Sequence, residues 1–195
     1  MPYLLGNLDS VMADSDIEQR SVAQDARARG KKVGTINGAD LYLSLYSMRS
    51  VNRSYEFTLV KGDRAVFYVQ YNIHHKGIFK KGPLSQYNTV TQSYIELIDK
   101  ALDPSVVLTI PTKYLTKNRY AIVSDSEHSA GGRFMWIRMM RKFSELGHQV
   151  GWYHAVKHQY ALKPVDVDYD TWIRYNDYWG VGGDNEFYQY FILPK

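Results

Sequence analysis

The chain has 195 residues, with 24 Lys+Arg against 20 Asp+Glu for a formal charge of +4, no cysteine and 17 tyrosines. That length suits one domain, or a domain with an appended arm, and is enough to bury a core without covalent staples. Lack of cysteine excludes a disulfide scaffold, a thiolate zinc site, an iron–sulfur cluster and a cysteine nucleophile, while the absence of a signal pattern or of an apolar run near the ~18 residues of a membrane span points to a reducing cytoplasm.

In chain order, Asp14–Arg29 is rich in Ala, Gln, Arg, Asp and Glu. It predicts a peripheral helix or arm within residues 1–35, with Ser15 or Asp16 as N-cap and Gly30 as its stop. A single domain is expected over 36–195. From Ala39, Leu41, Leu43 and Leu45 alternate with Tyr42, Ser44 and Tyr46, the period of a strand. Tyr55–Val60 and Ala65–Tyr71 flank Lys61-Gly62-Asp63 and predict a hairpin. The stretch Ile73–Pro83 is a basic hairpin tip or loop. Beyond it, Ser93–Leu102 predicts a helix, Val106–Ile110 a short strand ended by Pro111, and Tyr120–Val123 another strand.

Gly131–Leu146 is the clearest helix. Trp136, Met139, Met140, Phe143 and Leu146 share one face, Arg138, Arg141, Lys142 and Glu145 the other, and Gly147 stands at the C-cap. A strand over Gln149–Val156, a short helix over Asp170–Tyr178 capped by Asp170, and a last strand over Glu186–Leu193 complete the order. Strands that precede and alternate with helices indicate an α/β or α+β mixed sheet.

The strand Tyr120–Val123, the turn opening at Ser124-Asp125, the helix closing on Ser144-Glu145-Leu146-Gly147, the strand Gln149–Val156 and the aromatic run Glu186–Leu193 follow one another. Together they resemble the C-terminal half of the GNAT acyltransferase fold, in a diverged form of bacteriophage type. The hairpin Tyr55–Tyr71 sits where that family has its antiparallel central strands. The resemblance implies a GNAT-like central mixed sheet flanked by helices, an acetyl-CoA or other acyl-CoA cofactor splayed between the central strands, and N-acyl transfer in a host cytoplasm or a virion. Two departures favour a second reading. The family's pyrophosphate-binding turn is glycine-containing, whereas Tyr87–Gln92 has no glycine, and the tyrosine that often acts as general acid corresponds to Phe143. The alternative is a catalytically silent relative that binds a host protein, nucleic acid or virion partner.

The site expectation centres on 124–133. Asp125, Glu127 and His128 lie just past the C-terminal end of a predicted strand, where α/β sheets place ligands. Glu127 or His128 would serve as general base, with Asp125 beside them. Ser129, Gly131, Gly132 and Arg133 open the following helix, whose free amides, small residues and positive charge suit a cofactor phosphate. The same residues also read as a polar turn with a capping serine.

No metal is expected. Asp166, Asp168, Asp170 and Asp177 echo a calcium loop, but Thr171 and Asp177 stand where such a loop needs Gly and Glu. His154 and His158 flank a strand end, where residues four apart do not converge. Lys76, Lys80 and Lys81, with His74, His75 and nearby aromatics, form either a nucleic-acid surface or a solvated tip. Six of the 17 tyrosines (160, 169, 175, 178, 188 and 190) lie in the last 36 residues, alongside Trp172 and Trp179. That density suits a protein-binding face as well as sheet packing.

Overall fold

A computed structural model describes residues 16–47, 53–75, 79, 81–99, 102, 106–124, 130–178 and 187–195. The architecture is mixed α/β, as the order of elements predicts, with nine strands and four α-helices among the described residues. The chain divides into two compact units. The first comprises residues up to Ile73 together with Gln92–Val107; the second comprises His74–Thr91 and Leu108–Lys195.

In the first unit, α1 (Asp16–Arg29) leads into β1 (Lys31–Ile36), β2 (Ala39–Ser47), β3 (Arg53–Lys61) and β4 (Arg64–His74). Asn37 and Gly38 join β1 to β2 with positive φ at both positions (50° and 77°), the conformation that lets a two-residue turn follow the twist of its strands. The β2–β3 and β3–β4 pairs are antiparallel, and Leu41, Leu59 and Phe67 fall in one cross-strand row. Phe57, in the adjoining row of that face, meets Tyr71 edge-on at 6.1 Å, and both are buried. The opposite face carries Ser44, Glu56 and Gln70 in one row and Tyr42, Thr58 and Tyr68 in the next.

Helix α1 has few apolar anchors, and it packs through the smallest of them. Ala23 and Ala26 are buried against Val60 and Ala65, with Val22, Tyr42 and Ile98 at the margin. Arg20 to Asp63, Arg64 to Asp16 and Arg27 to the Gly62 carbonyl fasten the helix to the β3–β4 turn.

Of the residues expected as a helix over Ser93–Leu102, the first half, Ser93–Leu97, instead lies in β5 (Thr89–Leu97), next to β4. Thr89, Val90, Thr91, Tyr94 and Ile95 are β-branched or aromatic, and pairing on a sheet decided between two readings of an ambiguous apolar spacing. The short strand expected over Val106–Ile110 is helix α2. Its continuation widens over Pro111–Leu115, where proline has no N–H for the regular bond, and tightens to a 3₁₀ turn over Thr116–Asn118.

In the second unit, the opening residues of β5 pair parallel with β6 (Ala121–Val123). Strand β9 (Tyr188–Ile192) lies antiparallel between β6 and β7 (Val150–His154), and β8 (Gln159–Leu162) closes that edge. Helix α3 (Ala130–Glu145) forms where predicted. It buries Trp136, Met139, Met140 and Phe143, each worth about 1.5–3 kcal/mol of apolar burial. Gly147, at φ 82°, ends the helix, and the His148 amide returns to the Phe143 carbonyl at 2.9 Å. Helix α4 spans Tyr169–Tyr175, and its N-cap is Asp168 rather than the expected Asp170. The other sheet face packs Ala121, Val123, Tyr153 and Phe191 against Phe79 and Leu84 of the 74–91 segment. Among the described residues no helix is long and apolar enough to cross a membrane.

Candidate functional site

A cleft of the second unit that gathers two histidines and a tyrosine lies on this latter face. Its volume is about 280 Å³, and His74, Thr91, Tyr153, His158 and Gln189 bring polar atoms to it beside Phe79 and Ala155. Each group is placed by an element. Gly151 and Tyr153 share a face of β7 because strand side chains alternate. Gly151 leaves room for Phe191, since a Cβ there would stand 2.6 Å from its ring and 2.4 Å from the Ala161 carbonyl. Phe79 meets Tyr153 edge-on at 5.1 Å and fixes the phenol ring.

The turn Ala155–His158 joins β7 to β8, and His158 holds it with φ 52°. Left-handed backbone at a non-glycine residue costs free energy and is found where function or a tight turn requires it. That conformation brings His158 Nδ1 within 2.7 Å of the Tyr153 hydroxyl. On the other side of the cleft, His74 Nε2 lies 2.9 Å from Thr91 Oγ1. Burial lowers the His74 imidazole below its ordinary value and raises the Tyr153 phenol above its own. At neutral pH the cleft therefore holds an uncharged imidazole, which accepts a proton, and a protonated phenol, which donates one. Gln189 donates to the Ser124 carbonyl at 3.1 Å, tying the cleft to the end of β6.

Of the site residues expected from sequence, Asp125, Glu127, His128 and Ser129 lie outside the described residues, as do Lys76 and Lys80. Gly131 and Gly132 form the first turn of α3. Arg133 is on the same helix, exposed and ion-paired with Asp177. Lys81 is exposed. The acidic residues after β8 have other duties: Asp168 caps α4, Asp170 pairs with Arg141 and Asp177 with Arg133. No group of three or more His, Asp or Glu that could hold a metal ion occurs among the described residues. His154 and His158 do not converge. His154 is buried and accepts from the Lys157 amide, while His158 turns to Tyr153.

The aromatic C-terminal region is divided. Tyr190 is fully buried; its hydroxyl donates to the Asn176 carbonyl and accepts from the Tyr178 amide, both at 2.7 Å. Tyr178 stacks on Tyr188 at 4.1 Å, and Trp152 meets both edge-on. Tyr169 and Trp172 are buried. Tyr175, by contrast, is 75% exposed and Tyr160 46%. Trp179 lies outside the described residues.

No protein-family model matches the chain, and no curated protein and no solved structure matches it. His74 and His158 stand out in the sequence, but their partners Thr91 and Tyr153 do not. Their proximity arises from strand pairing, not from any spacing along the chain.

Proposed function

We propose that the chain is a GNAT-like acyltransferase whose His74 and Tyr153 handle the protons of transfer to an amine. The observation that carries this reading is the meeting in one cleft of His74, 2.9 Å from Thr91, and Tyr153, 2.7 Å from His158. As the amine nitrogen bonds to an acyl carbon, it must shed a proton, and the departing group must gain one. In the tautomer whose Nε2–H donates to Thr91, Nδ1 of His74 is the acceptor for the first. The Tyr153–His158 pair holds the second between phenol and imidazole. Phe143, where the resemblance implies a general acid, is buried in the core and donates nothing, so Tyr153 takes over that duty here.

The order of β6, α3, β7 and an aromatic last strand β9 supports the GNAT-like scaffold. The nucleotide end of acyl-CoA does not fit. Tyr87–Gln92 contains no glycine and runs into β5 rather than into a helix, and residues 98–105, which precede α2, contain none either. A backbone without glycine does not approach a pyrophosphate closely. The donor in this reading is therefore an activated acyl group, with no requirement for the nucleotide.

The test supplies acetyl-CoA and a short acyl thioester in parallel to a panel of amines and follows released thiol. Turnover of the short thioester is expected, with Tyr153→Phe and His74→Gln each about 100-fold slower. If neither donor releases thiol, the enzyme reading fails.

A second reading is favoured by the exposure of Tyr175 and Tyr160: a catalytically silent protein that engages a partner through its C-terminal aromatics. A nucleic-acid partner at Lys76, Lys80 and Lys81 would show a steep loss of retention with salt; a protein partner would not.

A further inference from the structure

A larger cleft lies elsewhere, in the first unit, and has no part in the chemistry above. It measures about 620 Å³ and opens between α1 and the polar face of β2, β3 and β4. That volume is in the range of small-molecule sites, about 300–1,000 Å³. Its floor is the cross-strand row Ser44–Glu56–Gln70, bordered by Thr58 and Tyr68 of the next row. Val22, Ala26 and Ile98 supply the apolar part of the lining.

Geometry keeps this space open. The helix is held at one end by its ion pairs to Asp63 and Arg64 and by the close seat of Ala23 and Ala26. At its other end Gly30 lies so near the sheet that a Cβ would stand 2.9 Å from Ser44 Oγ and 3.2 Å from Tyr42 Cβ. Between those two fixed points, polar side chains occupy positions where a helix on a sheet ordinarily meets apolar ones.

The charge pattern is specific. On the helix wall Asp25 and Arg29 neutralise one another through a two-pronged ion pair. Gln70 is held in place by donating to Ser54 Oγ at 3.0 Å. Glu56 alone is uncompensated: among the described residues no hydrogen bond or ion pair engages its carboxylate. A half-buried carboxylate beneath a helix adds nothing to packing, and a cationic partner would satisfy it.

We propose that the cleft between α1 and the β2–β4 face binds a small alkylammonium ligand. Glu56 takes the ammonium group, and the hydroxyl and amide groups of the floor take the polar remainder. The inference does not rest on the acyl-transfer reading, because no residue of the His74–Tyr153 cleft belongs to it.

Putrescine titrated into the full-length protein at millimolar concentrations, followed by amide NMR shifts, tests the proposal. Shifts are expected at Thr58, Gln70 and the inward face of α1, and 1,4-butanediol, the uncharged isostere, is expected to cause none. Glu56→Gln keeps the side chain's shape and removes its charge; it is expected to weaken putrescine at least about tenfold. Glu56→Asp, which retains the charge, is expected to keep part of the affinity. Equal binding of the diol, undiminished binding by Glu56→Gln, shifts confined to other residues, or no shifts at all would each overturn the proposal. Acyl transfer is measured separately and is expected to persist in Glu56→Gln.

Discussion

Replacing Tyr190 with Phe removes one hydroxyl from the interior and nothing else. That hydroxyl joins two backbone groups of one segment, donating to the Asn176 carbonyl and accepting from the Tyr178 amide. The ring stays buried, so the apolar contribution is unchanged. Each backbone group left without its partner costs about 1–3 kcal/mol when water cannot reach it. Asn176 and Tyr178 are not fully enclosed, so water replaces part of what is lost, and the total comes to about 2 kcal/mol. For a chain of this size that corresponds to a fall of about 4–8 °C in Tm.

Urea unfolding followed by tryptophan fluorescence is the assay, since Trp152 donates to Asn176 Oδ1 at 2.9 Å and reports on the same segment. A lower midpoint with unchanged slope is expected. Tyr175→Phe is the control, because Tyr175 is exposed and its replacement is expected to stay within about 0.5 kcal/mol. A Tyr190→Phe protein as stable as the control would refute the argument that this hydroxyl holds 176–178 to the sheet.

Gly151→Ala places a Cβ 2.4 Å from the Ala161 carbonyl, a backbone atom of the paired strand. A loss of about 1–3 kcal/mol is expected in a thermal melt, and an unchanged Tm would contradict the β7–β8 register. Asp168 is held below the usual carboxylate range, chiefly by hydrogen bonding to the Thr171 hydroxyl and then to its amide. Its folded pKa is thus lower than its unfolded one, so its contribution is present above about pH 3.9 and is lost as pH falls through the folded value. Asp168→Asn keeps an N-cap acceptor and is expected to make the acid limb of the stability curve shallower.

His74 is lowered by burial and carries the same sign: stability is complete above about pH 6.5 and declines on acidification through the lowered value. His74→Gln is expected to flatten that decline, as measured by denaturation midpoints across pH.

Several elements were legible because their signals are local. The apolar face of α3 with Gly147 at its end, and the β3–β4 hairpin around its glycine turn, need no distant partner to be read. Asn37-Gly38 is an equally local signal for the β1–β2 hairpin, and β1 begins inside the 1–35 stretch expected as an arm or helix. By contrast, the helix expected over Ser93–Leu102 and the strand expected over Val106–Ile110 rest on short patterns that suit either element, and Ser93–Leu97 lies in a strand while Val106–Ile110 is a helix. A stretch of that kind takes its conformation from the neighbour that pairs with it or covers it.

The two clefts divide along the same line. Composition and periodicity by themselves determined the mixed α/β class, the amphipathic face of α3 and the chemical repertoire, with cysteine excluded and histidine, tyrosine and carboxylates left. Only tertiary structure decided which of those groups meet. His74, Thr91, Tyr153, His158 and Gln189 come from separate strands and a turn, and Ser44, Glu56 and Gln70 form a row only because three strands pair in one register. The physical reason is that hydrophobic periodicity is written along the chain, whereas strand register is set between segments distant in sequence.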